Sequence, residues 1–197
     1  MYEATKFITR HRSAPINYSN YYYFTNAFTE TELTLIKNLG DSSNKERAGV
    51  TDKGVFSDYR ISEIGWIAPS DDSNWLYEKI GDFVMEANDA MWNFDLSGYH
   101  DQFQYTTYYG GGGHYDWHTD CGPNMANRKV SVVCQLSKPE DYTGGDLNIN
   151  AGAGILTAPR EYNTVIIFPS FVLHRVTPVL TGTRKSLVTW LAGPPLR

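Results

Sequence analysis

The 197-residue chain carries 17 basic and 22 acidic side chains, a formal charge of -5; this excludes the basic field a phosphate backbone requires and speaks against nucleic acid as a partner. A composition 41% hydrophobic, 20% charged and 14% aromatic excludes long disorder. The length fits one domain spanning residues 1–197 and hence one active site.

Taken in chain order, residues 1–18 lack an apolar core before a cleavage site. No later apolar stretch reaches the ~18 residues a membrane span needs, so a cytoplasmic protein without a membrane partner is expected. The run Tyr21, Tyr22, Tyr23 and the isolated Arg60 read as surface or lip residues without an assigned role. Thr29 followed by Glu32 forms a capping box; Leu33, Ile36 and Leu39 then mark one helical face, and Gly40 a stop. A longer helix is predicted after residues 71–74 from the spacing of Leu76, Ile80, Phe83, Val84, Ala87, Met91 and Phe94. This helical part occupies about residues 1–98.

From about Tyr99 the texture changes to short runs of β-branched and aromatic residues punctuated by Gly, Pro and Asn. Strands are predicted over 103–109, 130–136, 146–150, 164–168, 174–178 and 184–192. A β-sandwich or barrel with helices packed on one side follows, an α+β fold that is mainly β. Gly110 to Gly113 read as a flexible hairpin turn rather than a mobile rim. Cys121 and Cys134 form no C-x-x-C pair and read as core or loop residues, not a disulfide or zinc site.

The chemistry concentrates near position 118. His118 and Asp120 stand two apart, so on a strand both would leave the same face, and His174 after the run Thr164–Pro169 could join them from a neighbouring strand. Two imidazoles and a carboxylate occupy one face of an octahedron and leave three positions open, as oxygen chemistry at iron(II) requires. Most His-x-Asp pairs are solvated or structural, however, and His114, Asp116 and His118 also alternate, so a zinc site from this single segment, as in a zinc hydrolase, fits the spacing too. That alternative leaves His174 unused. On the same alternation Tyr115 and Trp117 should face away from the ligands, serving packing first and substrate contacts second.

Further on, period two puts Arg184, Ser186, Val188 and Trp190 on one strand face and Lys185, Leu187 and Leu191 on the other. An inward arginine is costly unless it meets an anion. A dicarboxylate cosubstrate would supply one, gripped through two guanidinium hydrogen bonds, with Ser186 adding a third. A structural Arg–Asp or Arg–Glu pair is the alternative.

Together, the string Tyr109-x-x-Gly112-x-x-Tyr115-x-x-His118-x-Asp120, the segment Gly144-Gly145-Asp146-Leu147, Phe168-Pro169, His174 through Val179, Gly182-x-Arg184 and Trp190 resemble the prolyl 4-hydroxylase-like 2-oxoglutarate and iron(II)-dependent oxygenases, in particular their small stand-alone bacterial and phage members. The resemblance covers roughly the C-terminal half; the N-terminal half matches loosely, through its helices and Ala87-Asn88.

The resemblance implies a double-stranded β-helix, the jelly-roll or cupin-like core, with N-terminal helices packed on one sheet. It implies His118, Asp120 and His174 as the catalytic metal ligands, Arg184 on the distal carboxylate of 2-oxoglutarate, Tyr109 donating its hydroxyl there, and Ser186 and Gln135 as further pocket candidates. The cofactor would be Fe(II), with 2-oxoglutarate and O2 as cosubstrates and ascorbate as an optional reductant. The implied reaction hydroxylates an unactivated C–H bond, of a prolyl residue in a peptide or protein substrate, releasing succinate and carbon dioxide. A free amino acid, another side chain, or a silent metal-binding module are the alternatives. Arginine at 184 stands where collagen hydroxylases carry lysine, so collagen specificity is not implied. Asp120 keeps the carboxylate that related halogenases lack, and the acidic charge disfavours a nucleic-acid demethylase.

Overall fold

A computed structural model describes residues 20–48, 58–152 and 154–195; the reading made of residues 1–18 lies outside these. The strands are β1 (Tyr22–Thr25), β2 (Glu46–Arg47), β3 (Arg60–Ile61), β4 (Glu63–Ile67), β5 (Gly98–Tyr99), β6 (Phe103–Tyr109), β7 (Gly113–His118), β8 (Arg128–Gln135), β9 (Tyr142–Gly144), β10 (Leu147–Asn150), β11 (Ile155–Thr157), β12 (Thr164–Pro169) and β13 (Leu173–Ala192). Two α-helices, α1 (Glu30–Ser42) and α2 (Asn74–Met91), precede the β-rich half. Among the described residues no helix is long and apolar enough to cross a membrane.

The expected capping box starts α1: Glu32 N–H donates to the Thr29 hydroxyl at 3.2 Å, and Thr29 N–H donates to the Glu32 carboxylate at 2.7 Å. Gly40 does not stop the helix, which runs on to Ser42. Its missing side chain serves packing instead, since a Cβ there would run into the Tyr105 ring. The apolar stripe of α2 is as predicted up to Met91. Phe94 lies beyond the helix end, where the Asn88 side chain holds its N–H and C=O at 2.8 and 2.9 Å.

β13 organises the β half. The two strands predicted over 174–178 and 184–192 are one element of 20 residues. Its first part pairs with β10, β7 and β9, forming a smaller sheet. Its second part pairs with β6, β8 and β5 in the larger sheet, whose order is β1-β12-β8-β13-β6-β4-β2. The strand crosses between sheets at Gly182, whose φ of 76° and close approach to the Asp141 carbonyl exclude a Cβ.

Gly110 to Gly113 form a corner, not a hairpin: β6 and β7 do not pair with one another but follow β13 in succession. The run is pinned, because the N–H groups of Gly110, Gly111 and Gly112 donate to Gly182, Leu180 and Val179 at 2.8, 3.0 and 2.9 Å.

Strand alternation divides the core in two. Val130, Val132 and Cys134 of β8 turn toward the helices, packing in one cluster with Leu33, Ile36, Ile80 and Val84. Val133 turns the other way and packs with Ile149, Phe168 and Val179 between the sheets. At ~1.5–3 kcal/mol per buried aliphatic side chain, both faces of the larger sheet contribute to stability. The fold is thus α+β and mainly β, with helices on one sheet as expected, and the inner face of the larger sheet is left to line a cavity.

Candidate metal centre and cosubstrate pocket

His118, at the end of β7, and His174, near the start of β13, are direct cross-strand partners. Asp120 follows two residues after β7, and its N–H and that of Cys121 both donate to the Ser170 carbonyl at 2.9 and 3.1 Å. The His118 Nε2 lies 3.7 Å from Asp120 Oδ1, and the His174 Nε2 lies 3.4 Å from Asp120 Oδ2. Two donors each about 2.1 Å from a shared ion can stand up to about 4.2 Å apart, so these separations suit one metal. Among the described residues this is the group of three His, Cys, Asp or Glu side chains able to hold an ion.

The surroundings hold these side chains in ligating states. The Nδ1 atoms of His118 and His174 lie 2.7 Å from the Asp116 carbonyl and 2.9 Å from the Val172 carbonyl. An N–H at Nδ1 donates there and leaves each Nε2 lone pair for a metal. Burial, followed by the neighbouring His174, pushes the His118 imidazole well below its ordinary value and keeps it neutral. Burial acts to raise the Asp120 carboxyl, but His174, His118 and the Ser131 hydroxyl, which donates to Oδ2 at 2.6 Å, bring it below its ordinary value. The Trp190 N–H also favours the charged form, although it is buried outside hydrogen-bonding geometry.

Tyr115 is a correction to the simple alternation. His174 pairs with His118 while Val176 pairs with Tyr115, so three residues of β7 span two of β13. This bulge turns Tyr115 onto the ligand face. Its ring stacks on His118 with centroids 3.5 Å apart and 15° between planes. Trp117 keeps the expected packing role, with the Arg175 guanidinium 4.6 Å from its ring. The same bulge breaks the spacing behind the single-segment zinc site: His114 Nδ1 lies 2.7 Å from the Gly112 carbonyl, and neither it nor Asp116 joins the cluster.

Beyond the triad lies a cavity of about 330 Å³. Arg184, Ser186, Val188 and Trp190 all line it, as the alternation of β13 predicted. Arg184 is only 1% exposed, and among the described residues no carboxylate lies within ion-pairing distance. Its Nη2 donates to Gln135 Oε1 at 2.9 Å and its Nη1 to Ser186 Oγ at 3.4 Å, while its Nε has no partner. Gln135 is itself held, its amide donating to the Pro159 carbonyl at 3.1 Å.

Tyr109 is not brought to this cavity. It is 47% exposed, and its hydroxyl donates to Glu63 at 2.7 Å on the outside of the sheet. The inward position one residue earlier belongs to Tyr108, whose ring lies 5.4 Å from the Arg184 guanidinium. The polar residues Gln104 and Thr106 share the parity of Tyr108 and also line the cavity, a signal that could have located it. Arg60, Tyr115 and Arg128 also line the wall and had no assigned site role in the sequence. Arg128 is neutralised by Asp101 and lies 4.0 Å from the Trp190 ring.

The donor set fits an iron(II) site, and the unneutralised buried guanidinium fits a bound dicarboxylate. Fold and site together define the class: facing sheets with a facial His-Asp-His cluster at one mouth and an anion-seeking arginine within. Comparisons with known proteins agree. Residues 103–192 match the family model of the 2OG-Fe(II) oxygenase superfamily. A PKHD-type hydroxylase of Crocosphaera subtropica is 39% identical over 82 residues, 40% of this chain and 37% of the relative; the chain thus spans little more than a third of the length of such curated relatives.

Two solved structures share the fold. A Trichoplax adhaerens prolyl hydroxylase, in complex with a hypoxia inducible factor oxygen degradation domain peptide fragment, superposes with a TM-score of 0.73 at 20% identity, covering 88% of this chain and 83% of that one. A Pseudomonas putida prolyl-4-hydroxylase gives 0.70 at 18% identity, covering 89% and 93%. The resemblance to prolyl 4-hydroxylase-like 2-oxoglutarate/Fe(II) oxygenases is therefore borne out, and the fold is a double-stranded β-helix like theirs. That family implies Fe(II), 2-oxoglutarate and O2.

Proposed function

We propose that the chain, as a single domain, is a dioxygenase that hydroxylates an unactivated C–H bond, that of a prolyl residue in a peptide or protein, with release of succinate and carbon dioxide. The observation that carries this reading is the buried Arg184, without a carboxylate partner among the described residues, in the same cavity as the His118, Asp120 and His174 cluster. When bound, iron(II) supplies the coupling of dioxygen to 2-oxoglutarate oxidation and thereby the oxidant for the C–H bond.

The chain supplies geometry and charge. His118 and His174 present Nε2, and Asp120 presents a carboxylate that Ser131 and the backbone clamp hold in place. Arg184, its guanidinium held by Gln135, would bind the distal carboxylate of 2-oxoglutarate, and Ser186 would offer a further hydroxyl. Apolar residues such as Val133, Leu147 and Val176 line the cavity and limit water around the reacting carbon. The peptide named for the Trichoplax structure supports a peptide or protein substrate.

Incubation with iron(II), ascorbate, 2-oxoglutarate and a peptide library, with new hydroxyl groups located by mass spectrometry, tests the reading. Products on proline support it. Products on other residues would replace the prolyl assignment alone, and no 2-oxoglutarate consumption under any condition would remove the whole reading. The expected cytoplasmic location belongs to the same proposal and is read by fractionating cells that express the chain.

A further inference from the structure

Three arginines line the cavity: Arg60, Arg128 and Arg184. They differ in charge compensation. Arg128 has Asp101, and in the proposed function Arg184 receives the distal carboxylate of 2-oxoglutarate. Arg60 has neither. It is 8% exposed, and among the described residues no carboxylate lies within ion-pairing distance of it. Its Nε donates to Ser62 Oγ at 3.0 Å and its Nη2 to Gln104 Oε1 at 2.8 Å. Both partners are neutral, so they fix the guanidinium without cancelling its charge, and among the described residues several of its five N–H groups are uncommitted.

The position is as informative as the charge. Backbone pairing sets Arg60 opposite Tyr115, and the guanidinium lies 4.5 Å from the Tyr115 ring. That ring in turn stacks on His118, so one aromatic ring separates Arg60 from a ligand imidazole. With iron(II) and the 2-oxoglutarate dianion in place, their charges cancel, and Asp120 offsets Arg184. The charge of Arg60 is then left over. Glu46, on the rim, is exposed and does not pair with it. A buried cation without a counter-charge is costly, and an incoming anion relieves that cost only if it arrives through the cavity.

We propose that Arg60 binds a carboxylate of the substrate, so that this protein hydroxylates carbon in a molecule, or at a chain position, that carries a carboxylate close to the reacting C–H bond. This rests on the oxygenase reading and narrows its substrate class. The carboxylate comes from a free amino acid, from the C-terminal residue of a peptide or from an acidic side chain. The planar fork of Arg60 suits two-point recognition of that group.

The test uses protein loaded with Mn(II) and 2-oxoglutarate, which does not turn over, and calorimetric titration with matched probes. These are the free amino acids, their N-acetyl acids, the corresponding N-acetyl carboxamides, and amidated peptides with internal Asp or Glu. At least one carboxylate probe is expected to bind tenfold or more tightly than its carboxamide or its Asn or Gln counterpart, and the set that binds identifies the source. In Arg60→Gln the difference collapses to under threefold, while Arg60→Lys retains part of it. Equal binding of acids and amides by the wild-type protein, or binding by neither, overturns the proposal without any variant. Uptake of Mn(II) and 2-oxoglutarate is measured before any probe is added. Failure at that earlier step sinks the oxygenase reading itself, and with it this inference.

Discussion

Gln135 accepts a hydrogen bond from Arg184 Nη2 at 2.9 Å, a neutral partner for a buried guanidinium that lines the cavity. The arginine is thereby aimed by a neutral group, and its charge is left for a ligand. Replacing Gln135 with Leu should leave the charge and remove the aim. A lost hydrogen bond to a charged group is worth ~1.5–3 kcal/mol, so 2-oxoglutarate affinity should fall by roughly 10- to 100-fold in calorimetry, with metal uptake unaltered.

Arg184→Met separates function from stability. The substitution removes a buried charge that has no ionic partner among the described residues, and such replacements are often neutral or stabilising by ~1–4 kcal/mol. Thermal unfolding without cosubstrate should therefore show an unchanged or raised Tm, while 2-oxoglutarate no longer stabilises the protein. A large fall in Tm would mean that the guanidinium is structural.

Tyr108 and Tyr109 are adjacent but face opposite sides of β6. Tyr109→Phe loses one exposed bond to Glu63, worth ~0–1 kcal/mol, and should leave the KM for 2-oxoglutarate unchanged. Tyr108→Ala opens the wall beside Arg184 and should raise that KM by about tenfold or more. The reverse order would restore Tyr109 to the pocket.

Ser131 donates to the Asp120 carboxylate at 2.6 Å. Groups that orient a metal ligand typically account for ~10–100-fold in affinity. Ser131→Ala should weaken Fe(II) or Mn(II) binding by that factor while one ion still binds per chain.

Gly182 lies where β13 passes between sheets. Gly182→Ala meets both a positive φ and the Asp141 carbonyl, whereas Gly111 also has a positive φ, 89°, but open space around it. Gly111→Ala should cost about 1–2 kcal/mol in denaturant unfolding. Gly182→Ala should cost clearly more or prevent folding.

Local signals were legible in the sequence, and relationships fixed by distant partners were not. The Thr29 and Glu32 capping box lies within one helical turn, so its residues alone announced it. The limits of β6 and the inward parity of Arg184 followed from strand periodicity. The bulge that brings Tyr115 onto His118 depends on how β7 is registered against β13, which no local pattern encodes. Gly40 resembled a helix stop until the Tyr105 ring, far along the chain, gave it a packing role. β1 pairs with β12 across more than a hundred residues, and its four positions carry no strong signal by themselves. His118 and Asp120 were visible because they share a compact motif, and His174 because it opens the segment through Val179 that carries the resemblance, whereas Ser131 and Arg60 reach the site only through pairing between distant strands.

The most direct test of the central claim is mass-spectrometric quantification of succinate formed from 2-oxoglutarate in air with added iron(II), comparing wild type, His174→Ala and Asp120→Ala. Iron-dependent succinate formation by the wild-type protein alone is the predicted result. Succinate formation that persists at the wild-type rate in either variant, or that needs no iron, would contradict it.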